Sequence, residues 1–197
     1  MNLLQLEDFL KRMVLSDLKN GRPGFDLLHT QEVVVWVKHI LRHEQRLTVD
    51  KPTLIIAAYA HDWGYVGVFG GGKTLAIQEV IDAKALHMQR GAEKLHELLK
   101  DPFFSFLTKE QKQRCVHLVA IHDKLSQLKD PDELVLMEAD TLSGLDVTNE
   151  KSRFNAESNR RFIKAVKETR LPLFITAFGK REATRLLLAR QCLYAKA

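Results

Sequence analysis

Apolar residues recur three and four positions apart along almost the whole chain, and the strict alternation of a half-buried strand is nearly absent. In "LLQLEDFLKRMVLSDLK" (3–19) they mark one face of a helix, and the run stops at Asn20-Gly21 and Pro23. A second helix is expected from Leu27 to Arg46, with Val33, Val34, Val37, Ile40 and Leu41 on its apolar positions. Asp50 followed by Pro52 is an N-cap and first-turn signal for a third, apolar helix ending at His61-Asp62-Trp63-Gly64. A long helix is expected from Thr74 to Lys100, stopped by Asp101-Pro102. Thr108-Lys109-Glu110-Gln111 reads as a capping box for another through Leu125. Asp130-Pro131 opens a helix carrying "ELVLMEADTLSGLD", and two more cover 150–170 and 174–195, divided at Leu171-Pro172. The expectation is an all-α chain forming one domain over residues 1–197, without repeats or linkers.

That reading bears on "GVFGGGKT" (67–74), which fits the phosphate-loop pattern G-x-x-x-x-G-K-[ST] at Gly67, Gly72, Lys73 and Thr74. Such a loop needs a buried strand running straight into it and a parallel sheet behind it. Here the nearest apolar run ends at Ala60, and residues 61–66 intervene. "LVLMEAD" (134–140) imitates the Asp-ended second strand of such enzymes, but no other strands remain to build the sheet. A P-loop nucleotide hydrolase is therefore the weakest of the readings. The glycines still permit tight turns and exposed amides, and Lys73 near a helix start is placed to meet a phosphate.

With 45% hydrophobic residues in 197, the chain has material for one substantial core. Its longest apolar run, "TLIIAAYA" (53–60), is far too short to span a bilayer. The first residues hold acidic side chains and no small-residue cleavage site, so no signal peptide is read. Cys115 and Cys192 have no metal-like spacing and read as reduced core thiols of a cytoplasmic protein. The net charge of +5 suits an anionic substrate. No dense basic run is interleaved with aromatics, which argues against nucleic acid. The basic excess gathers in the last two helices, which could equally serve a partner or an oligomer contact.

The chemistry sits in His29, His61-Asp62, His87, His122 and Asp140. Asp140, among Leu136, Met137, Ala139 and Leu142, is costly to bury unless a cation or hydrogen-bond donor balances it. A paired arginine is the plain alternative to a metal there. Neighbours on a helix point about 100° apart. His61 and Asp62 therefore share a metal most easily at a helix end, which Gly64 marks. Imidazoles with carboxylates suit Mn, Fe, Co, Ni or Zn and argue against a pure Mg site. With two divalent ions, a carboxylate between them bridges, and Asp62 is the candidate. A metal-bound hydroxide would then attack phosphorus. Lys124, two residues after His122, is a second basic candidate beside Lys73, and Arg153 a weaker third. His39 and His43, four apart on a helix, and His96 read as surface residues.

The order His … His-Asp … Asp, with "AAYAHDWGY" and "LMEADTLSGLD" around the pair and the last Asp, resembles the HD-domain superfamily of metal-dependent phosphohydrolases. The resemblance covers about residues 25–146. It implies a helical bundle of the HD type, with additional C-terminal helices over about 150–195. His29, His61, Asp62 and Asp140 fall on the four defining metal ligands. His87 and His122 resemble the two extra histidines of members that hold two metals, with His117 replacing His122 in a shifted register. The implied activity is cleavage of a small phosphate ester, a nucleotide among the candidates. Two other readings fit the same residues. Some HD proteins with two irons are oxygenases, but Tyr65 stands where those carry a lysine or other polar residue. A metal-holding nucleotide sensor or interaction module is the non-enzymatic alternative.

Overall fold

Local capping chemistry sets the start of most helices. In the computed structural model, which describes residues 2–22, 24–69, 83–148 and 156–195, α1 (Leu3–Leu10) begins in a capping box between Asn2 and Gln5. It passes through a π-turn (Lys11–Leu15) into a last helical turn (Ser16–Leu18). Next come α2 (Asp26–His43) and α3 (Lys51–Ala60), whose N-cap Asp50 accepts from the Thr53 amide at 2.8 Å. A short 3-10 turn (Trp63–Tyr65) follows α3. Beyond it lie α4 (Lys84–Leu98) and α5 (Lys109–Ile121), the latter opened by the Thr108–Gln111 box. An Asp130–Glu133 box opens α6 (Pro131–Leu145). α7 (Ala156–Ala165) runs on through a second π-turn (Val166–Arg170), and α8 (Ala177–Ala195) ends the described chain. No strand occurs among the described residues, and the fold is all-α.

Every residue of α3 from Thr53 to Ala60 is buried, as an element apolar on all sides requires. α3 packs between α2 and α5; α6 lies along α2, α4 along α5, and α8 covers α6. The cover is fastened by Glu138, a buried carboxylate on α6. It accepts from the amides of Ile175 and Thr176, at 2.5 and 3.0 Å, and from the Thr176 hydroxyl. Those donors lead into α8, so Glu138 serves the start of a helix remote in sequence. Gly179 is needed there, because a Cβ would stand 2.2 Å from the Glu138 carboxylate.

Several helix bounds differ from expectation. α2 stops at His43, not Arg46, and Glu44 turns its carboxylate to the Phe178 amide at 2.7 Å. α5 stops at Ile121, not Leu125, because His122 folds its ring back onto the Val119 carbonyl at 2.9 Å. The helix expected from Thr74 is described only from Lys84. Cys115 is buried as expected, whereas Cys192 is exposed: its side of α8 faces outward, so it is no core thiol. The run before Gly67 is helix, not strand, which removes the architecture a P-loop needs. Gly67 takes the left-handed conformation at φ 73°, while Gly70–Thr74, Lys73 among them, lie outside the described residues. Among the described residues, no helix is long and apolar enough to cross a membrane.

Candidate metal centre

Five helices deliver six side chains to one place. His29 stands in the first turns of α2, His87 in α4 and Asp140 in α6. His61 is the C-cap of α3, and Asp62 then leaves the helix at φ −99°, ψ 6°. That departure lets two adjacent side chains converge instead of diverging by about 100°. His122 repeats the device as the C-cap of α5. Gly64 brings the 3-10 turn against α4, since its missing Cβ would lie 1.8 Å from the His87 carbonyl oxygen.

Asp62 is the hub. Its Oδ2 faces His29 Nε2 at 3.7 Å and His61 Nε2 at 3.6 Å. Its Oδ1 faces His87 Nε2 at 3.4 Å and His122 Nε2 at 3.7 Å. Within each pair the Nε2 atoms approach to 3.3 Å (His29 and His61) and 3.2 Å (His87 and His122). Asp140 joins through His29 Nε2, 3.0 Å from its Oδ1. Two trios, His29-His61-Asp62 and Asp62-His87-His122, are each compact enough to hold a metal ion.

The outer ring nitrogens fix what the inner ones offer. His61 Nδ1 and His122 Nδ1 each donate to a helix carbonyl, Ala58 and Val119, at 2.9 Å. The Ser143 hydroxyl donates to Glu32 at 3.0 Å, so it accepts from His29 Nδ1 at 2.9 Å. A neutral imidazole with its proton on Nδ1 presents a lone pair at Nε2. Three such lone pairs and the two Asp62 oxygens therefore converge, an arrangement that repels itself until a cation sits among them. This donor set fits a divalent transition metal. A proton answers the arrangement in part: burial works against charge on His122, but the facing Asp62 carboxylate and the charge of Asp123 prevail and raise its pKa. Burial lowers the pKa of His61 and takes His87 down to about 4. Burial also opposes charge on the carboxylates. The His61 ring and Arg22 nevertheless hold Asp62, and Arg170 and His29 hold Asp140, well below the usual carboxylate range.

The model of the HD domain matches residues 27–145 of the chain, more than half of it. The chain belongs to the HD-domain family. No curated protein and no solved structure matches it. HD domains bind divalent metals and are generally hydrolases of the metal-dependent phosphohydrolase superfamily.

The six residues that HD-type spacing singles out are thus brought together, and the His117 register is not the one used. His117 is half-exposed and pairs with Glu133 at 3.2 Å, away from the cluster. Lys124 is exposed in a groove with Met88, Gln89 and His96, and no ion pair among the described residues ties it to the cluster. His43 is exposed, as expected, and His39 partly so; both rings stack on Phe178, His43 at 4.4 Å between centroids.

Sequence reasoning allowed a paired arginine at Asp140 but did not say which, and it did not find Arg22 at Asp62. Arg22 reaches Asp62 Oδ2 at 2.6 Å and Asp26 Oδ1 at 2.5 Å. Arg170 reaches Asp140 Oδ2 at 2.7 Å and also Asp123. Lys84 holds the other Asp123 oxygen at 3.1 Å. Burial works against the Asp123 charge, but Arg170, His122 and Lys84 take its pKa down to about 2. One signal was legible: His122-Asp123 at the end of α5 repeats His61-Asp62 at the end of α3.

Proposed function

We propose that this protein is a phosphohydrolase that cleaves a small phosphate ester, with nucleotides among its candidate substrates, using two divalent transition-metal ions. The observation that carries the reading is Asp62, whose two oxygens each face a separate histidine pair. His29, His61 and Asp140 would serve one ion, His87 and His122 the other, with Asp62 between them. Bound there, the ions supply Lewis acidity and an activated water at neutral pH. The chain's own part is to present neutral imidazoles and ionised carboxylates from buried positions, and to keep bulk water from the reacting groups. The imidazole-rich donor set favours Mn, Fe, Co, Ni or Zn over Mg.

A phosphate-release screen over small esters and nucleotides, run with each of these metals beside elemental analysis of the purified protein, tests the reading. Phosphate release with close to two metals per chain is the expected result. Two irons with oxygen consumption and no phosphate release would overturn it in favour of oxygenase chemistry. Tight nucleotide binding without turnover would make the protein a sensor.

A further inference from the structure

We propose that Arg22 and Arg170 are substrate-binding residues that grip the phosphoryl oxygens of the ester, each held in place by a carboxylate that is not itself a candidate metal ligand. This inference rests on the phosphohydrolase reading.

Both arginines are built into the fold in the same way. Asp26 accepts from the Arg22 amide and from its Nε, each at 2.5 Å. The guanidinium lies between the rings of Phe25 and Tyr65, 4.5 and 4.0 Å from their centroids. Its Nη2 is directed to the cluster, at Asp62 Oδ2. Arg170 gives Nη2 to Asp123, itself steadied by Lys84, and Nη1 to Asp140 Oδ2 and the Thr141 hydroxyl at 2.7 and 3.0 Å. The two side chains are only 13% and 15% exposed. Both carboxylates they touch in the cluster also contact His29, so both cations act beside that histidine.

Each guanidinium thus divides its donors between an anchor and a candidate ligand. A divalent ion drawing on Asp62 and Asp140 competes for the oxygen charge that Arg22 and Arg170 share. Neither arginine can then swing out to solvent, because Asp26 and Asp123 retain it. A nearly buried guanidinium whose carboxylate partner is shared with a metal gains from a further anion. A phosphate oxygen supplies one, with the geometry of the planar fork. Asp26 and Asp123 are accordingly positioning residues, which act through the arginines.

The test is calorimetric titration of inorganic phosphate into the metal-loaded full chain, with metal content measured for each variant. Arg22→Gln and Arg170→Gln should keep their metal and weaken phosphate binding about tenfold or more, the share of one charge-assisted hydrogen bond. Arg22→Lys and Arg170→Lys retain the charge and decide the matter should the glutamine variants not fold. They too should bind phosphate more weakly, because one ammonium cannot span anchor and ligand as the fork does. Asp26→Asn should weaken phosphate binding at constant metal content. Wild-type phosphate affinity in the arginine variants would overturn the inference and leave the arginines as charge balance for Asp62 and Asp140. Loss of metal together with phosphate would overturn it as well, by making them supports of the metal centre. A metal-loaded wild type that binds no phosphate would overturn both this inference and the phosphohydrolase reading, which separates the two failures.

Discussion

Gly64 and the backbone of His87 are in contact that only a hydrogen side chain permits, since a Cβ on Gly64 would lie 1.8 Å from the His87 carbonyl oxygen. The same Cβ would lie 2.6 Å from the Gly91 amide nitrogen, one turn further along α4, so rigid helix backbone closes the space. Gly64→Ala must push α4 away from the 3-10 turn and carry His87 with it. The expected results are a loss of about 1–3 kcal/mol in urea unfolding, the usual cost of overpacking, and metal content falling from two towards one. His87→Ala should reproduce the metal loss alone. Two metals retained in both variants would make His87 a structural residue.

Asp62 is the one side chain that both trios use. Asp62→Ala should therefore remove metal altogether and abolish turnover while the circular dichroism stays helical, because Asp62 lies outside any α-helix. Full activity with full metal content in this variant would be incompatible with the proposed centre.

Lys73, in the glycine-rich stretch after the 3-10 turn, remains a candidate for the substrate phosphate. Lys73→Ala should cost about 1.5–3 kcal/mol in handling a phosphorylated substrate, the range for one charge-assisted hydrogen bond, with metal content unchanged. Steady-state kinetics beside elemental analysis would check both halves. Unaltered kinetics would leave Lys73 a solvated loop residue.

The two cysteines should differ sharply towards a thiol reagent. Burial pushes the Cys115 thiol up to about 12, where it is almost wholly protonated at pH 8, whereas Cys192 is exposed on α8. Folded protein at pH 8 should titrate close to one thiol per chain, and denatured protein two. Two fast thiols in the folded protein would contradict the packing of α5 against α3.

Glu138→Ala removes the acceptor for two backbone amides and the Thr176 hydroxyl. The expected loss is about 2–3 kcal/mol in urea unfolding, as for hydrogen bonds to a buried charge. A loss below about 0.5 kcal/mol, the range of an ordinary surface substitution, would mean that α8 docks by its apolar face alone.

The helix starts at Asp50, Thr108 and Asp130 were legible because capping is local: each acts within three residues of itself. The end at His43 was not, since Glu44 beyond it answers to Phe178, 134 positions away. The six side chains that meet in the cluster were singled out by the order of His and Asp along the chain together with the resemblance to HD proteins. The arginines were not, because Arg22 meets Asp62 across 40 positions and Arg170 meets Asp123 across 47. No local pattern marks such a meeting. The π-turn that ends at Arg170 adds a residue to the turn and shifts the helix face, which a 3.6-residue periodicity cannot anticipate. Nearness in sequence did not by itself place Lys124 at the cluster, because α5 has ended at Ile121 and the lysine lies in the groove with Met88, Gln89 and His96.

All six donors fall inside residues 27–145, while Arg22, Asp26 and Arg170 fall outside. A chain trimmed to those limits would keep what attracts a cation and lose both guanidinium groups. Homologues could therefore share an almost unchanged middle and still prefer different substrates, because preference can drift at the ends without disturbing the centre. Swapping residues 1–26 and 146–197 between two such chains would transplant taste while leaving the appetite for metal where it was.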